Sequence, residues 1–104
     1  MNDQDYEYRV LRIYEEDPNL TQREISSILG LSLGKTNYII KGLIDKGFLK
    51  LSNFKDSNNK KGYIYILTPK AISERAILTK NFLKRRSEEY NELKKEIKKL
   101  KQEL

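Results

Sequence analysis

A mainly α-helical chain carrying one small β-hairpin, α+β in class, is what this sequence predicts. Three observations carry the prediction. Helix-start signals stand at Thr21 and Ser32, on either side of Gly30. An aromatic and β-branched run, YIYIL, stands at 63–67. After Pro69, neither Gly nor Pro occurs in the remaining 35 residues.

In chain order, residues 5–16 (DYEYRVLRIYEE) place Tyr6, Val10, Ile13 and Tyr14 at helical spacing, so a first amphipathic helix is expected. Asp17-Pro18-Asn19 ends it, since the proline ring disfavours helical backbone at the residue before it. Thr21 with Glu24 reads as a capping box, and Leu20 with Ile25 as a hydrophobic staple, so a second helix starts here. It runs through Ile25, Ile28 and Leu29 and stops at Gly30, which accepts the left-handed backbone of a helix end. Ser32 caps a third helix with Thr36, Ile39, Ile40, Leu43 and Ile44 on its apolar face, and Gly47 ends it. Gly42 inside that helix costs about 1 kcal/mol against Ala. Two helices joined by a tight turn make a helix-turn-helix. Residues 48–53 (FLKLSN) and 63–67 (YIYIL) then read as two strands, and the turn formers and lysines of 54–62 (FKDSNNKKG) as the loop between them, a basic wing. Thr68 and Pro69 open the last helix as N-cap and first helical residue, with Leu67 and Ile72 as a staple. The expected division is a winged helix-turn-helix over 1–68 and a long dimerisation helix over 69–104.

The stretch GLSLGKT (30–36) resembles a phosphate-binding loop, but that pattern needs four residues between its glycines, and Gly30 and Gly34 enclose three. Such a loop also follows a strand, whereas a helix precedes Gly30 here.

Composition narrows the function classes. The chain has neither Cys nor His. That excludes thiol and imidazole catalysis and the usual zinc sites, and no convergent carboxylate pair stands outside solvated helix faces, so neither an enzyme nor a cofactor is expected. No apolar run is long enough to span a membrane, and the polar start MNDQDYEYR does not read as a signal peptide, which makes the cytoplasm the expected location. Net charge is +6, unevenly spread: −4 over residues 1–31, +5 over 32–68 and +5 over 69–104. Positive charge thus begins at Ser32, and a polyanionic partner is expected.

Along the last helix, Leu83, Tyr90, Ile97 and Leu104 repeat every seven residues, and Arg86, Leu93 and Leu100 form the alternate register. Ile97 at a with Leu93 and Leu100 at d favours a two-stranded parallel coiled coil. Glu89 and Glu96 at g then face Lys94 and Lys101 at e of a second copy, whereas an antiparallel pair would set like against like. A parallel homodimer through about residue 83 onward is expected. Thr79 and Arg86 interrupt the seam upstream, and the competing arrangement is this helix folded back on its own domain.

With these elements placed, 20–50 (LTQREISSILGLSLGKTNYIIKGLIDKGFLK) and LTPKA (67–71) resemble the MarR-type winged-helix transcriptional regulators. SLGKTNY with NFKDSNNKKGYIYILTPK is more narrowly similar to the small MarR-like regulators associated with exopolysaccharide gene clusters. The resemblance implies a double-stranded DNA partner. Two departures stand out. Most such proteins are longer, with terminal helices that build both the dimer interface and a small-ligand pocket, so no small-molecule effector is expected here. The family wing carries an Arg that enters the minor groove, whereas this one has Asp56, Lys55, Lys60 and Lys61.

A recognition helix enters the major groove with its N-terminus first. With Thr36, Ile40 and Leu43 inward, Gly34, Lys35, Asn37, Tyr38 and Lys41 face out. Gly34 permits close backbone approach. Asn37 suits the adenine edge, and Lys35 suits guanine or phosphate. Tyr38 and Lys41 suit the DNA backbone. Thr21 and Ser32 can orient helix-start N–H groups toward phosphate. Lys55, Asn58, Asn59, Lys60 and Lys61 would supply the wing contacts. The alternative is a protein-interaction adaptor whose coiled coil recruits a different chain.

Overall fold

Each described helix begins where a side chain satisfies a backbone donor that the first turn leaves free. The computed structural model describes residues 1–53 and 63–104. Its elements are α1 (Asp3–Glu16), α2 (Gln22–Leu29), α3 (Leu33–Asp45), β1 (Leu49–Asn53), β2 (Tyr63–Leu67) and α4 (Pro69–Gln102). Thr21 and Glu24 form the expected capping box, Ser32 accepts from the Lys35 N–H, and Thr68 accepts from the Ala71 N–H with Pro69 following it. α1 starts two residues earlier than periodicity suggested. The cause is a further capping box, in which Asn2 accepts from the Asp5 N–H and Asp5 accepts from the Asn2 N–H. Gly30 (φ 68°) and Gly47 (φ 78°) end α2 and lead out of α3 in the left-handed region, where a Cβ would be strained.

The core lies where α1, α2 and α3 meet: Val10, Leu11, Tyr14, Ile25, Leu29, Ile39, Ile40 and Leu43, joined by Leu49 of β1. Two expected core residues fall outside it, Ile28 at 54% exposure and Ile44 at 38%. On α2, Ser26 turns inward instead of Ile28. Its hydroxyl lies 2.8 Å from that of buried Thr36, and each hydroxyl also reaches the carbonyl four residues back, Gln22 and Ser32 respectively. This polar pair joins the two helices at their crossing. Ile72, expected to staple with Leu67, is 54% exposed.

β1 and β2 pair antiparallel, with Leu49 opposite Leu67 and Leu51 opposite Tyr65. The residues between them, 54–62, lie outside the described part of the chain. Thr68 joins the hairpin to the third helix, since its N–H donates to the Phe48 carbonyl and its hydroxyl to the Gly47 carbonyl.

The first half of α4 lies antiparallel along α1. Arg75 pairs with Glu15 at 2.8 Å, the Tyr8 hydroxyl meets Thr79 Oγ1 at 2.8 Å, Tyr8 stacks on Phe82 at 4.5 Å, and Arg85 Nε donates to Asp5 Oδ1 at 2.6 Å. The fold-back considered for this helix therefore holds as far as Arg85. Beyond it, the 17 residues to Gln102 form a rod of about 25 Å that leaves the body of the fold, and the molecule measures 60 Å along its longest axis.

Candidate nucleic-acid interface

The packing of α3 decides which of its residues reach solvent. Thr36, Ile39, Ile40 and Leu43 are buried against α1 and α2, which leaves Leu33, Gly34, Lys35, Asn37, Tyr38 and Lys41 on the outer side. Gly34, Tyr38 and Lys41 are exposed, Tyr38 by 61%. An added Cβ at Gly34 would meet nothing within 4 Å, so the backbone is bare at that position. Ser32 and Thr21 are exposed at the starts of α3 and α2. Their hydroxyls serve the helices as caps, accepting from the Lys35 and Glu24 N–H groups respectively.

Two of the expected contact residues are less free than the sequence implied. Lys35 Nζ lies 2.7 Å from Asp3 Oδ1 and 4.9 Å from the centre of the Tyr38 ring. The Asp3 hydrogen bond is the main cause that holds the Lys35 ammonium above the usual lysine range, against a smaller opposing effect of desolvation. Asn37 is half-buried, and its Nδ2 donates to Gln22 Oε1 at 3.1 Å. Gln22 Nε2 in turn lies 3.5 Å from the Tyr65 hydroxyl on β2. A side-chain relay therefore runs from α3 across α2 to the hairpin. It leaves Asn37 one N–H and its carbonyl oxygen to offer outward. Lys55, Asn58, Asn59, Lys60 and Lys61 lie outside the described residues.

Sequence reasoning missed Asp3 and Gln22. Asn2-x-x-Asp5 was a legible capping signal and would have brought Asp3 into the first turn of α1. Nothing in the sequence links position 22 to position 37, because that contact exists only once α2 crosses α3.

Leu33, Gly34 and Asn37 of α3 line one wall of an open groove whose other sides are Thr21, Gln22 and Arg23 of α2 and Leu51, Ile64 and Tyr65 of the hairpin. Helix pair, hairpin and groove form one continuous outer face. Residues 3–50 match the family model described as winged helix-turn-helix DNA-binding. The fold is a winged helix-turn-helix. A Staphylococcus aureus MepR variant bound to an oligodeoxyribonucleotide is 19% identical, with a TM-score of 0.60 over 96% of this chain and 76% of that one. A MarR transcriptional regulator from Methanosarcina mazei is 20% identical, with a TM-score of 0.58 over 86% of this chain and 71% of that one. S. aureus MarR in complex with salicylate and kanamycin is 19% identical, with a TM-score of 0.56 over 83% of this chain, which spans 56% of that one. No curated protein matches the chain.

Along α4 of this winged helix-turn-helix protein, the residues of the predicted seam are exposed. Leu83, Tyr90, Leu93, Ile97, Leu100 and Leu104 are all exposed, Ile97 least at 45%. Among the described residues no acidic cluster could hold a metal ion, and no helix is long and apolar enough to cross a membrane.

Proposed function

We propose that this chain is a sequence-specific double-stranded DNA-binding transcriptional regulator that acts as a parallel homodimer. The observation that carries the reading is the outer face of α3. Gly34, Tyr38 and Lys41 are exposed there and Lys35 and Asn37 half-buried, beside the start of α2 and the hairpin. α3 enters the major groove N-terminus first, Asn37 reads an adenine edge, and Lys35 and Lys41 neutralise phosphates. The lysine-rich wing segment, Lys55 to Lys61, grips the backbone alongside. A nucleic-acid complex of a MepR variant with the same fold supports this arrangement. The narrower likeness to exopolysaccharide-associated MarR-like regulators rests on SLGKTNY and NFK.

A dimer fits the same reading, because a symmetric pair of recognition helices reads a pseudo-palindrome. Leu83, Tyr90, Leu93, Ile97, Leu100 and Leu104 of the seam are exposed, broken by Arg86, and its Glu and Lys flanks suit a parallel mate. No small-molecule effector site is part of the reading. The chain has one long helix where the regulators it resembles build their ligand pocket from several.

Titration with random duplex at two salt concentrations tests the reading. Affinity should fall steeply with salt, and replacing Lys60 and Lys61 by Ala should weaken every sequence alike and flatten the slope. Asn37→Ala should relax discrimination at one base position by about 1–3 kcal/mol. Light scattering on a chain truncated after Arg86 should report a monomer. Affinity unchanged by all of these substitutions would refute the assignment of faces, and a persistent dimer would place the interface elsewhere.

A further inference from the structure

Leu33 occupies the first position of α3 and is 46% exposed, an apolar side chain at the end of the helix that leads into the groove. It stands four residues before Asn37, so the two share one helix face about 5–6 Å apart. Both line the same groove. Leu51, across that groove on β1, is itself 51% exposed. An isolated exposed leucine is unremarkable on a protein surface. This one is placed beside an amide already oriented by Gln22, on the surface proposed above to enter the major groove.

What would meet it there follows from the chemistry of base edges. The major groove presents hydrogen-bonding groups on every base pair but one apolar feature, the C5-methyl of thymine. We infer, resting on the DNA-binding reading, that Leu33 is a specificity-determining residue that packs on the methyl of a thymine within two base-pair steps of the adenine read by Asn37. The step count compares the Leu33–Asn37 spacing with a rise of about 3.4 Å per base pair. The half-site is accordingly A·T-rich where the helix start enters. Lys35 and Lys41 supply affinity that is indifferent to sequence, and Leu33 with Asn37 supplies the discrimination.

Uracil differs from thymine only in lacking that methyl and keeps its hydrogen-bonding edge, so it is the probe. Duplexes are first selected by the full chain from a random library, and each thymine of the bound half-site is then replaced singly by uracil. At one thymine within two steps of the position relaxed by Asn37→Ala, affinity should drop about fourfold, the value of one buried methyl group. In Leu33→Ala the thymine and uracil duplexes should bind alike, with a salt slope that still matches the unaltered chain because no phosphate contact is lost. Uniform tolerance of uracil, or a methyl effect that survives in Leu33→Ala, overturns the inference and leaves the DNA-binding reading standing. A chain that binds no duplex overturns both.

Discussion

The Lys35 ammonium lies 2.7 Å from the Asp3 carboxylate, so the first turn of α1 supplies a counter-ion to the first turn of α3. Both side chains are partly exposed, which makes Asp3 a direct competitor of any phosphate that Lys35 would meet. Asp3→Asn should therefore tighten binding to random duplex severalfold and steepen its salt dependence, as one more cation becomes available. Equal affinities in a titration of the two proteins would show that Lys35 does not reach the duplex. The sign of the pH effect follows from the raised Lys35 pKa. The contribution of the pair to stability is complete below the ordinary lysine value and is lost only as pH rises through the raised one, so neutral pH leaves it intact.

Gln22 is a positioning residue for Asn37, since it holds one of the two amide N–H groups at 3.1 Å. Gln22→Ala should free the Asn37 rotamer and lower discrimination at its base position by about 1 kcal/mol, with binding to random duplex unchanged. Competition between selected and mismatched duplexes measures this. A uniform loss across sequences would mean that Gln22 touches the DNA backbone itself.

Arg85 closes a contact that spans the chain. Asp5 is wholly buried, and the Arg85 guanidinium is its charged partner at 2.6 Å. Arg85→Ala strands a buried carboxylate and should cost about 3 kcal/mol, read from urea unfolding. A loss below about 1 kcal/mol, the range of exposed pairs, would show that water reaches Asp5.

Thr36→Val keeps the shape of the side chain and removes the hydroxyl that meets Ser26 at 2.8 Å. A stability loss of about 1 kcal/mol is expected, because the buried Ser26 hydroxyl keeps only the Gln22 carbonyl. Thermal unfolding checks it, and an unchanged midpoint would mean that the pair contributes nothing at the helix crossing.

Tyr14 presents the opposite case. Its ring is buried in the core, 5.4 Å from that of Tyr65, and its hydroxyl has no hydrogen-bond partner among the described residues. Burial raises the phenol above its ordinary pKa, with Tyr65 adding to the effect. Tyr14→Phe should raise stability by up to about 1 kcal/mol, since the stranded hydroxyl disappears and the packing stays. A loss of that size would reveal a partner for the oxygen.

Local order was legible in the residues themselves. Thr21 with Glu24, Gly30, Ser32 and Thr68 with Pro69 mark helix ends through hydrogen bonds and backbone angles that reach only a few positions along the chain, and the structure has each of those ends where they stand. The inward side of α3 followed from spacing as well, apart from Ile44 at its margin. Contacts between elements belonged to the tertiary structure alone. Ser26 rather than Ile28 faces α3, Asp3 holds Lys35, Gln22 holds Asn37, and α4 lies along α1 until Arg85 meets Asp5. The physical reason is range. A cap or a turn is set by neighbours within about four residues, whereas an ion pair across 80 positions depends on how whole helices cross, which no local pattern encodes.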